Sequence, residues 1–185
     1  MKIRRQLEAL EPMILGRLHG VNGDDWHTAP RGRWSVAQIL HHVAVSTDAA
    51  VEALERQKDR ARTQRRATPG QHLARHVLLG VGRFPPGRKA PHVALPDDRP
   101  DPELSKAQLR MAVQRLTALA AELPADRQER LFVPHPVIGD LNFPEWIRFL
   151  YIHNRHHAQQ MTVRMRWLQR RAKAARARRP RGRKG

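Results

Sequence analysis

The chain has 185 residues, 40% of them hydrophobic, which is enough for one domain with a buried core. It contains no cysteine, which excludes disulfides, thiolate metal sites and cysteine nucleophiles and fits a cytoplasmic protein. No run approaches the roughly 20 apolar residues of a membrane span, and the charged start MKIRRQLEALEPMIL does not resemble a signal peptide.

The formal net charge of +18 is unevenly distributed along the chain. Nine residues between Arg170 and Lys184 are Lys or Arg, and none is acidic. We therefore expect a folded domain at 1–168 and a basic, disordered tail at 169–185. Such a tail attracts polyanions, including nucleic acid. The alternative is a solvated extension that aids solubility.

The first half of the domain predicts two long helices. The first spans about residues 2–18, and Pro12 within it predicts a kink or two shorter pieces. The second begins after Ser35, because Gln38 stands three residues later and completes the capping-box pattern. This helix is expected to continue to about Arg60.

The next part of the chain predicts a connection and then a third long helix. A short helix is expected over about 72–79. It is followed by a proline-rich segment to residue 102 that we expect to be irregular and to pack over the surface or frame a pocket. The third long helix spans about 102–123, with apolar residues at helical spacing.

The end of the domain predicts a turn or short hairpin in LFVPHPVIGDLN and a fourth long helix. Asn142 and Glu145 repeat the capping-box pattern, so the helix runs from Phe143 to at least Trp167. Four long helices with little strand signal predict an all-α four-helix bundle with a long irregular connection between helices two and three.

The last helix carries two histidines in the middle of its apolar side. At about 100° per residue, Trp146, Phe149 and His157 lie within about 40° of His153, and His156 lies at the edge. Residues one turn apart have Cβ atoms about 5–6 Å from each other. His153 and His157 are therefore close enough to share one metal ion.

A third histidine, in the second helix, also points inward. His42 shares its face with Ile39 and with small residues at 46, 49, 50 and 53, whereas His41 lies about 100° away, nearer solvent. The small neighbours leave room for water and a substrate. Three neutral imidazoles leave a metal ion with open coordination positions, as a catalytic site requires. The alternative is that each histidine is a hydrogen-bonded core residue.

Three other histidines are further candidates for a functional site. His72 and His76 form a rival pair beside a loop, with no evident third ligand. His135, in VPHPVIGD, is the best candidate for an additional catalytic residue, as an acid or base or as a substrate contact. A loop histidine can also be merely exposed.

Three polar residues near the predicted site each allow more than one interpretation. Gln160 orients an imidazole or forms a helix–helix hydrogen bond. Asp140 caps the last helix or orients an imidazole, and capping is preferred. Arg164 lies on the histidine face, where it contacts an anionic substrate or forms a buried ion pair or a snorkelling side chain.

The two histidine-bearing segments resemble the signatures of DinB-like proteins. WSVAQILHHV is similar to their first motif, in which Trp-Ser opens the second helix and a histidine follows seven residues after the serine. HNRHHAQQM resembles the second, in which an H-x3-H pair precedes a glutamine. The order of elements agrees over about residues 1–168, although the two motifs carry nearly all the specificity.

The resemblance implies a DinB-like four-helix bundle, often dimeric. It also implies a divalent metal held by His42, His153 and His157, with zinc, nickel, iron or manganese as the possible ions. Two features depart from the family pattern, namely the long proline-rich segment at 80–102 and the arginine-rich tail.

The activities of DinB-like proteins leave several functions open for this chain. They include transferases that use a low-molecular-weight thiol such as bacillithiol, mycothiol or glutathione, together with hydrolases and isomerases. The first hypothesis is therefore a metal-dependent transferase or hydrolase acting on a small molecule. The alternatives are a non-catalytic metal- or ligand-binding module and a polyanion binder that works through the tail.

Overall fold

The described part of the chain forms six α-helices and one small hairpin. The computed structural model describes residues 2–60, 64–82, 84 and 94–178. The helices are α1 (Lys2–Leu15), α2 (Val36–Gln57), α3 (Pro69–Arg75), α4 (Pro102–Glu122), α5 (Ala125–Arg130) and α6 (Phe143–Arg178). A 3-10 turn lies at Gly23–Trp26, and a π-helical segment at His76–Val81 continues α3. The strands β1 (Val133–His135) and β2 (Gly139–Leu141) pair antiparallel.

The four long helices form the predicted bundle. α2 packs against α4 and α6, and α1 packs against α6 and α4, so the helices follow each other around the core in the order α1, α6, α2, α4. The all-α fold class is therefore confirmed. Fully buried aliphatic side chains from all four helices fill the centre: Leu10, Ile14, Ile39, Leu40, Leu54, Leu109, Leu116, Ile147 and Leu150.

Both predicted capping boxes are present. The Ser35 hydroxyl accepts a 3.2 Å hydrogen bond from the Gln38 amide, and the Gln38 side-chain oxygen accepts one of 3.0 Å from the Ser35 amide. At the start of α6, Asn142 and Glu145 exchange equivalent bonds of 3.0 and 3.1 Å. These caps satisfy backbone N–H groups that a helix leaves unpaired. They set where each histidine-bearing helix begins.

The hairpin before α6 also follows the prediction. Val133 pairs with Leu141 and His135 with Gly139. Gly139 has φ 79°, a left-handed conformation that favours glycine at the turn. The indole N–H of Trp146 donates to the Val133 carbonyl over 3.1 Å, which fastens the hairpin to the first turns of α6.

The last helix extends beyond residue 168, the expected end of the folded domain. α6 crosses residue 168 and continues to Arg178, so the part of the tail from 169 to 178 is helical rather than disordered. The physical reason is its composition, RRAKAARAR, because alanine, arginine and lysine are all strong helix formers. The rest of the tail, 179–185, lies outside the described residues.

The connection between α2 and α4 returns across the first turns of α2. The side-chain Nε2 of Gln38 donates to the backbone carbonyls of Asp97 and Asp98, and the backbone amide of Asp97 donates to His41 Nδ1 over 3.2 Å. The short helix expected at 72–79 is present as α3 and the π-helical segment, and most of the proline-rich segment lies outside the described residues. Among the helices that the structure describes, none is both long and apolar enough to cross a membrane.

Candidate metal centre

Three imidazoles from two helices converge in the bundle. The Nε2 atom of His153 lies 3.1 Å from Nε2 of His42 and 3.2 Å from Nε2 of His157. All three side chains are buried, and each offers one ligand nitrogen within 4.8 Å of the others. The structure therefore brings together the three histidines that helical phase selected. His41 points instead to the 94–98 loop.

Hydrogen bonds at the far side of two rings determine which nitrogen carries the proton. His42 Nδ1 lies 2.5 Å from the Ala94 carbonyl oxygen, and His157 Nδ1 lies 2.9 Å from the side-chain oxygen of Gln160. A carbonyl oxygen can only accept, so both Nδ1 atoms are protonated. The Nε2 atoms of His42 and His157 therefore present lone pairs to the centre of the cluster.

The environment keeps these rings neutral. Burial lowers the pKa of His153 well below its ordinary value, and the neighbouring His157 and His42 lower it further. Burial, with His42 and His156 nearby, lowers the pKa of His157 to about 3. Burial also lowers the pKa of His42, although its hydrogen bond to Ala94 opposes the shift. Neutral imidazole is the form that binds a metal ion.

The donor set fits one divalent ion. Two nitrogens that bind one zinc ion at roughly 2.0–2.1 Å with tetrahedral angles are about 3.3 Å apart. The distances from His153 Nε2 to the other two Nε2 atoms, 3.1 and 3.2 Å, are close to this value. The bare Nε2 atoms of His42 and His157 are satisfied either by a proton on His153 Nε2 or by a cation between the rings, and the spacing suits a metal.

An apolar cavity opens beside the three histidines. It has a volume of about 370 Å³ and is bounded by α2, α6, the hairpin, the π-helical segment and the ends of the described part of the connection at Phe84 and Ala94. Small residues from α2 provide the space, as the sequence predicts: Ser46, Ala49, Ala50 and Ala53. No Asp, Glu, Lys or Arg is among the described residues that line it.

His135 lies in the wall of the same cavity. Its ring is 4.4 Å from that of Phe149, centroid to centroid, and its Nδ1 accepts from the amides of Val137 and Ile138 over 3.1 and 3.3 Å. The ring proton is therefore on Nε2. Burial lowers the pKa of His135 to about 4, so the side chain is neutral near pH 7.

Gln160 links two imidazoles, which decides between its two interpretations. Its oxygen accepts from His157, and its amide nitrogen donates to Nε2 of His156 over 3.0 Å. Gln160 therefore orients an imidazole. His156 also lines the cavity, where its ring lies 5.3 Å from that of Phe84.

Several sequence-based candidates lie elsewhere. His72 and His76 are exposed, and among the described residues no group of three or more potential ligands comes together besides His42, His153 and His157. Asp140 does not cap α6, contrary to the preferred interpretation. Its buried carboxylate accepts hydrogen bonds from the amide and guanidinium of Arg65. Asn142 caps α6 in its place.

Arg164 is buried on the histidine face, but it does not line the cavity. Its side-chain Nε has no hydrogen-bond partner among the described residues, and it forms no ion pair with them. The buried ion pair considered for this residue is therefore not found in the described part of the chain. Burial lowers the pKa of Arg164, and the nearby Arg33 lowers it further.

Nothing in the sequence marks the Ala94 carbonyl or Phe84 as part of the site. Ala94 acts through its backbone, and a backbone carbonyl leaves no trace in residue identity. Both residues come from an irregular connection, whose path over α2 depends on tertiary contacts. The one usable signal was the length of that segment, which indicated that it could frame a pocket.

Comparisons with known proteins agree with this architecture. The uncharacterised protein YuaE of Bacillus subtilis is 29% identical over 147 residues, which is 78% of this chain and 85% of YuaE. The solved structure of YfiT from Bacillus subtilis, described as a probable metal-dependent hydrolase with an unusual four-helix bundle topology, matches with a TM-score of 0.61 and 19% identity. The match covers 90% of this chain and 87% of YfiT, and shows that the fold is shared. Residues 6–161 match the DinB superfamily, and the chain belongs to that superfamily.

Proposed function

We propose that the protein is a divalent-metal-dependent hydrolase of small, uncharged substrates. The observation that carries the proposal is the convergence of three neutral imidazoles, two of them fixed with bare Nε2 atoms, at the wall of an apolar cavity. The description of YfiT as a probable metal-dependent hydrolase supports this chemistry. His42, His153 and His157 would hold the ion, and neutral imidazole suits zinc, nickel, iron and manganese alike.

The ion and the protein make separate contributions. A divalent ion supplies Lewis acidity, which makes water a stronger acid and a carbonyl carbon more electrophilic. The chain keeps the imidazoles neutral and fixed, because the Ala94 carbonyl and the Gln160 oxygen hold the protons of His42 and His157 on Nδ1. Hydrolysis adds the hydroxyl of water to the acyl carbon, breaks the bond to the leaving group and transfers the proton to that group.

We assign His135 the role of a neutral hydrogen-bond donor in this reaction. Its Nδ1 is already occupied by two backbone amides, so it is not free to act as a general base. Its protonated Nε2 can stabilise the negative charge that develops on a carbonyl oxygen when water attacks. The pKa of about 4 keeps this donor uncharged near neutral pH.

The walls of the cavity favour an apolar ester or amide as substrate. The described lining offers aromatic rings, alanines and prolines, with polar atoms confined mainly to the histidines, Ser46 and Gln160. A charged thiol such as glutathione carries carboxylates that need cationic partners, and no Lys or Arg is among the described lining residues. Thiol transfer therefore remains the second proposal, and a non-catalytic binding module the third. The homodimer stays a prediction from the family resemblance.

The test compares the full-length protein with two histidine variants. Wild type, His153→Ala and the control His72→Ala are loaded separately with zinc, nickel, iron or manganese. Each is assayed for metal content and for turnover of an uncharged p-nitrophenyl ester and an anilide. We expect wild type and His72→Ala to bind one ion and hydrolyse the ester, and His153→Ala to do neither.

The other outcomes separate the alternatives. Turnover that requires an added low-molecular-weight thiol would support the transferase. Metal binding without turnover of ester, amide or thiol adduct would support the binding module. Equal metal content in wild type and His153→Ala would contradict the site itself.

A further inference from the structure

A second cavity lies on the side of α6 that faces away from the three histidines. It has a volume of about 630 Å³ and lies between α1, the end of the π-helical segment and α6. Arg5, Arg148 and Arg155 line it, and none of its described lining residues is acidic. We call it the arginine groove. It shares no lining residue with the cavity beside the histidines.

A specific backbone feature holds Arg155 in the arginine groove. Its Nη2 donates to the Gly82 carbonyl over 2.7 Å. Gly82 has φ 72°, and a Cβ at this position would lie 3.0 Å from the same Nη2 atom. The close approach therefore depends on glycine. One hydrogen bond leaves the other N–H groups of the guanidinium available for a ligand.

The three arginines of the groove have no acidic partner among the described residues. Among the described residues, no carboxylate forms an ion pair with Arg5, Arg148 or Arg155. Several arginines on other faces do pair with acidic residues: Arg4 with Glu8, Arg56 with Glu52, Arg65 with Asp140, Arg115 with Asp48 and Glu55, and Arg130 with Asp126.

The groove is one end of a line of cations along α6. We call this line the basic stripe, and it consists of Arg148, Arg155, Arg166, Arg170 and Lys173. At about 100° per residue, the members of this line fall roughly 200–260° from His153, on the opposite side of the helix. Apart from the half-buried Arg148 they are exposed. The single acidic residue of α6, Glu145, pairs with Arg75 instead.

The dimensions of the basic stripe identify the kind of ligand it fits. From Arg148 to Lys173 the helix rises by about 37 Å, at 1.5 Å per residue. Successive members are roughly 4–17 Å apart along the axis on the same scale, so they cannot all converge on one small anion. One turn of B-form DNA is about 34–36 Å long. An extended polyanion therefore matches the stripe better than an isolated phosphate or carboxylate.

We propose that the basic stripe and the arginine groove bind the phosphate backbone of double-stranded nucleic acid, on the side of α6 opposite the candidate metal centre. The exposed guanidinium and ammonium groups contact phosphates, a contact that is independent of base sequence. Single strands are less well suited, because their binding relies on stacking platforms and Tyr151 is the single aromatic residue among the described lining of the groove.

An anionic membrane surface is a weaker match. A helix that binds a membrane inserts an apolar face into the lipid. The apolar face of α6 is already buried in the bundle, through residues such as Ile147, Leu150 and Met161. The nucleic-acid surface is independent of the proposed hydrolysis, because it uses different residues on a different face.

The test measures binding of a fluorescent 24-base-pair DNA duplex by anisotropy across a series of salt concentrations, with the full-length protein. A stripe variant, Arg148→Gln/Arg155→Gln/Arg166→Gln, is compared with the control Arg4→Gln/Arg56→Gln/Arg130→Gln, which removes the same charge from other faces. Thermal unfolding and metal content of both variants check that the bundle is intact.

We expect wild type to bind, with a log–log salt slope of about −4 to −5 for five phosphate contacts. The stripe variant should lose about 2–3 units of slope and about 100-fold in affinity, and the control should lose far less. Absence of binding at low salt, equal losses in both variants, or an unchanged stripe variant would overturn the proposal. Binding to phosphatidylserine vesicles but not to DNA would also overturn it.

Discussion

His42 Nδ1 lies 2.5 Å from the carbonyl oxygen of Ala94, so a ligand candidate on α2 is oriented by the connection that leads to α4. The bond fixes the ring proton and leaves Nε2 bare towards His153. Backbone carbonyls commonly orient metal-binding histidines in this way. The irregular connection is therefore part of the site, even though it contributes no ligand atom.

Metal binding should stabilise the fold. If His42, His153 and His157 hold one ion in the native state only, saturation to 100 times Kd adds about 2.7 kcal/mol to the free energy of unfolding. Thermal unfolding of chelator-treated protein with and without added zinc measures the shift in Tm. The shift should persist in His72→Ala and vanish in His153→Ala. A shift of the same size in His153→Ala would place the binding elsewhere.

Gln160 should tune the affinity of the centre without being a ligand. Gln160→Leu removes the acceptor for His157 Nδ1 and should weaken metal affinity about 10- to 100-fold. Gln160→Glu keeps an acceptor and should restore most of the affinity. Competition with a chromogenic chelator gives the affinities, with the exposed neighbour Gln159→Leu as the control. Equal effects of the two leucine variants would indicate a general disturbance of α6.

Stability should fall as acid protonates His135. Burial lowers its pKa to about 4 in the folded state, against about 6.5 when unfolded, so the unfolded state binds more protons between these values. The contribution of neutral His135 to the free energy of unfolding is complete above pH 6.5 and is lost as the pH falls towards 4. The loss is on the order of 2–3 kcal/mol. Urea unfolding from pH 4 to 8 should give a flatter profile for His135→Gln than for wild type, and identical profiles would contradict this assignment.

The cap of α2 should contribute measurably to stability. Ser35→Ala removes the hydroxyl that accepts from Gln38 and should cost about 1 kcal/mol, whereas Ser35→Asp should preserve the cap. For a chain of this size the expected decrease in Tm is about 2–4 °C. The half-buried Thr28→Ala removes a hydroxyl that donates to the Asp24 carbonyl outside the helix, and provides the comparison for the loss of a hydroxyl hydrogen bond that does not cap α2.

Helical phase was sufficient to select the three histidines that lie together in the structure. His42 and His41 are adjacent in sequence, and the pattern of apolar neighbours alone assigned the first to the interior and the second to the loop side. The same reasoning placed His153 and His157 together on α6. Local patterns determine the facing of a helix because 3.6 residues per turn and burial of apolar groups act over short distances.

Features that depend on distant parts of the chain were not predicted. The hydrogen bond from His42 to Ala94 joins positions far apart in sequence, and the pairing of Asp140 with Arg65 does the same. The protonation of His135 depends on how the hairpin turns its backbone amides towards the ring. The helical part of the tail was not predicted for another reason. A dense run of positive charge indicates disorder, whereas the alanine-rich composition of the same segment favours a helix.

The continuity of α6 limits how this protein can change in length. The helix has no glycine, and its one proline, Pro144, lies in the first turn. A single inserted residue between His157 and Arg166 would turn everything beyond it by about 100° and advance it by about 1.5 Å. The basic side chains would then lie over a different edge of the bundle while the histidines stayed in place. Insertions and deletions in α6 should therefore be tolerated only in steps that restore the helical phase, such as seven or eleven residues.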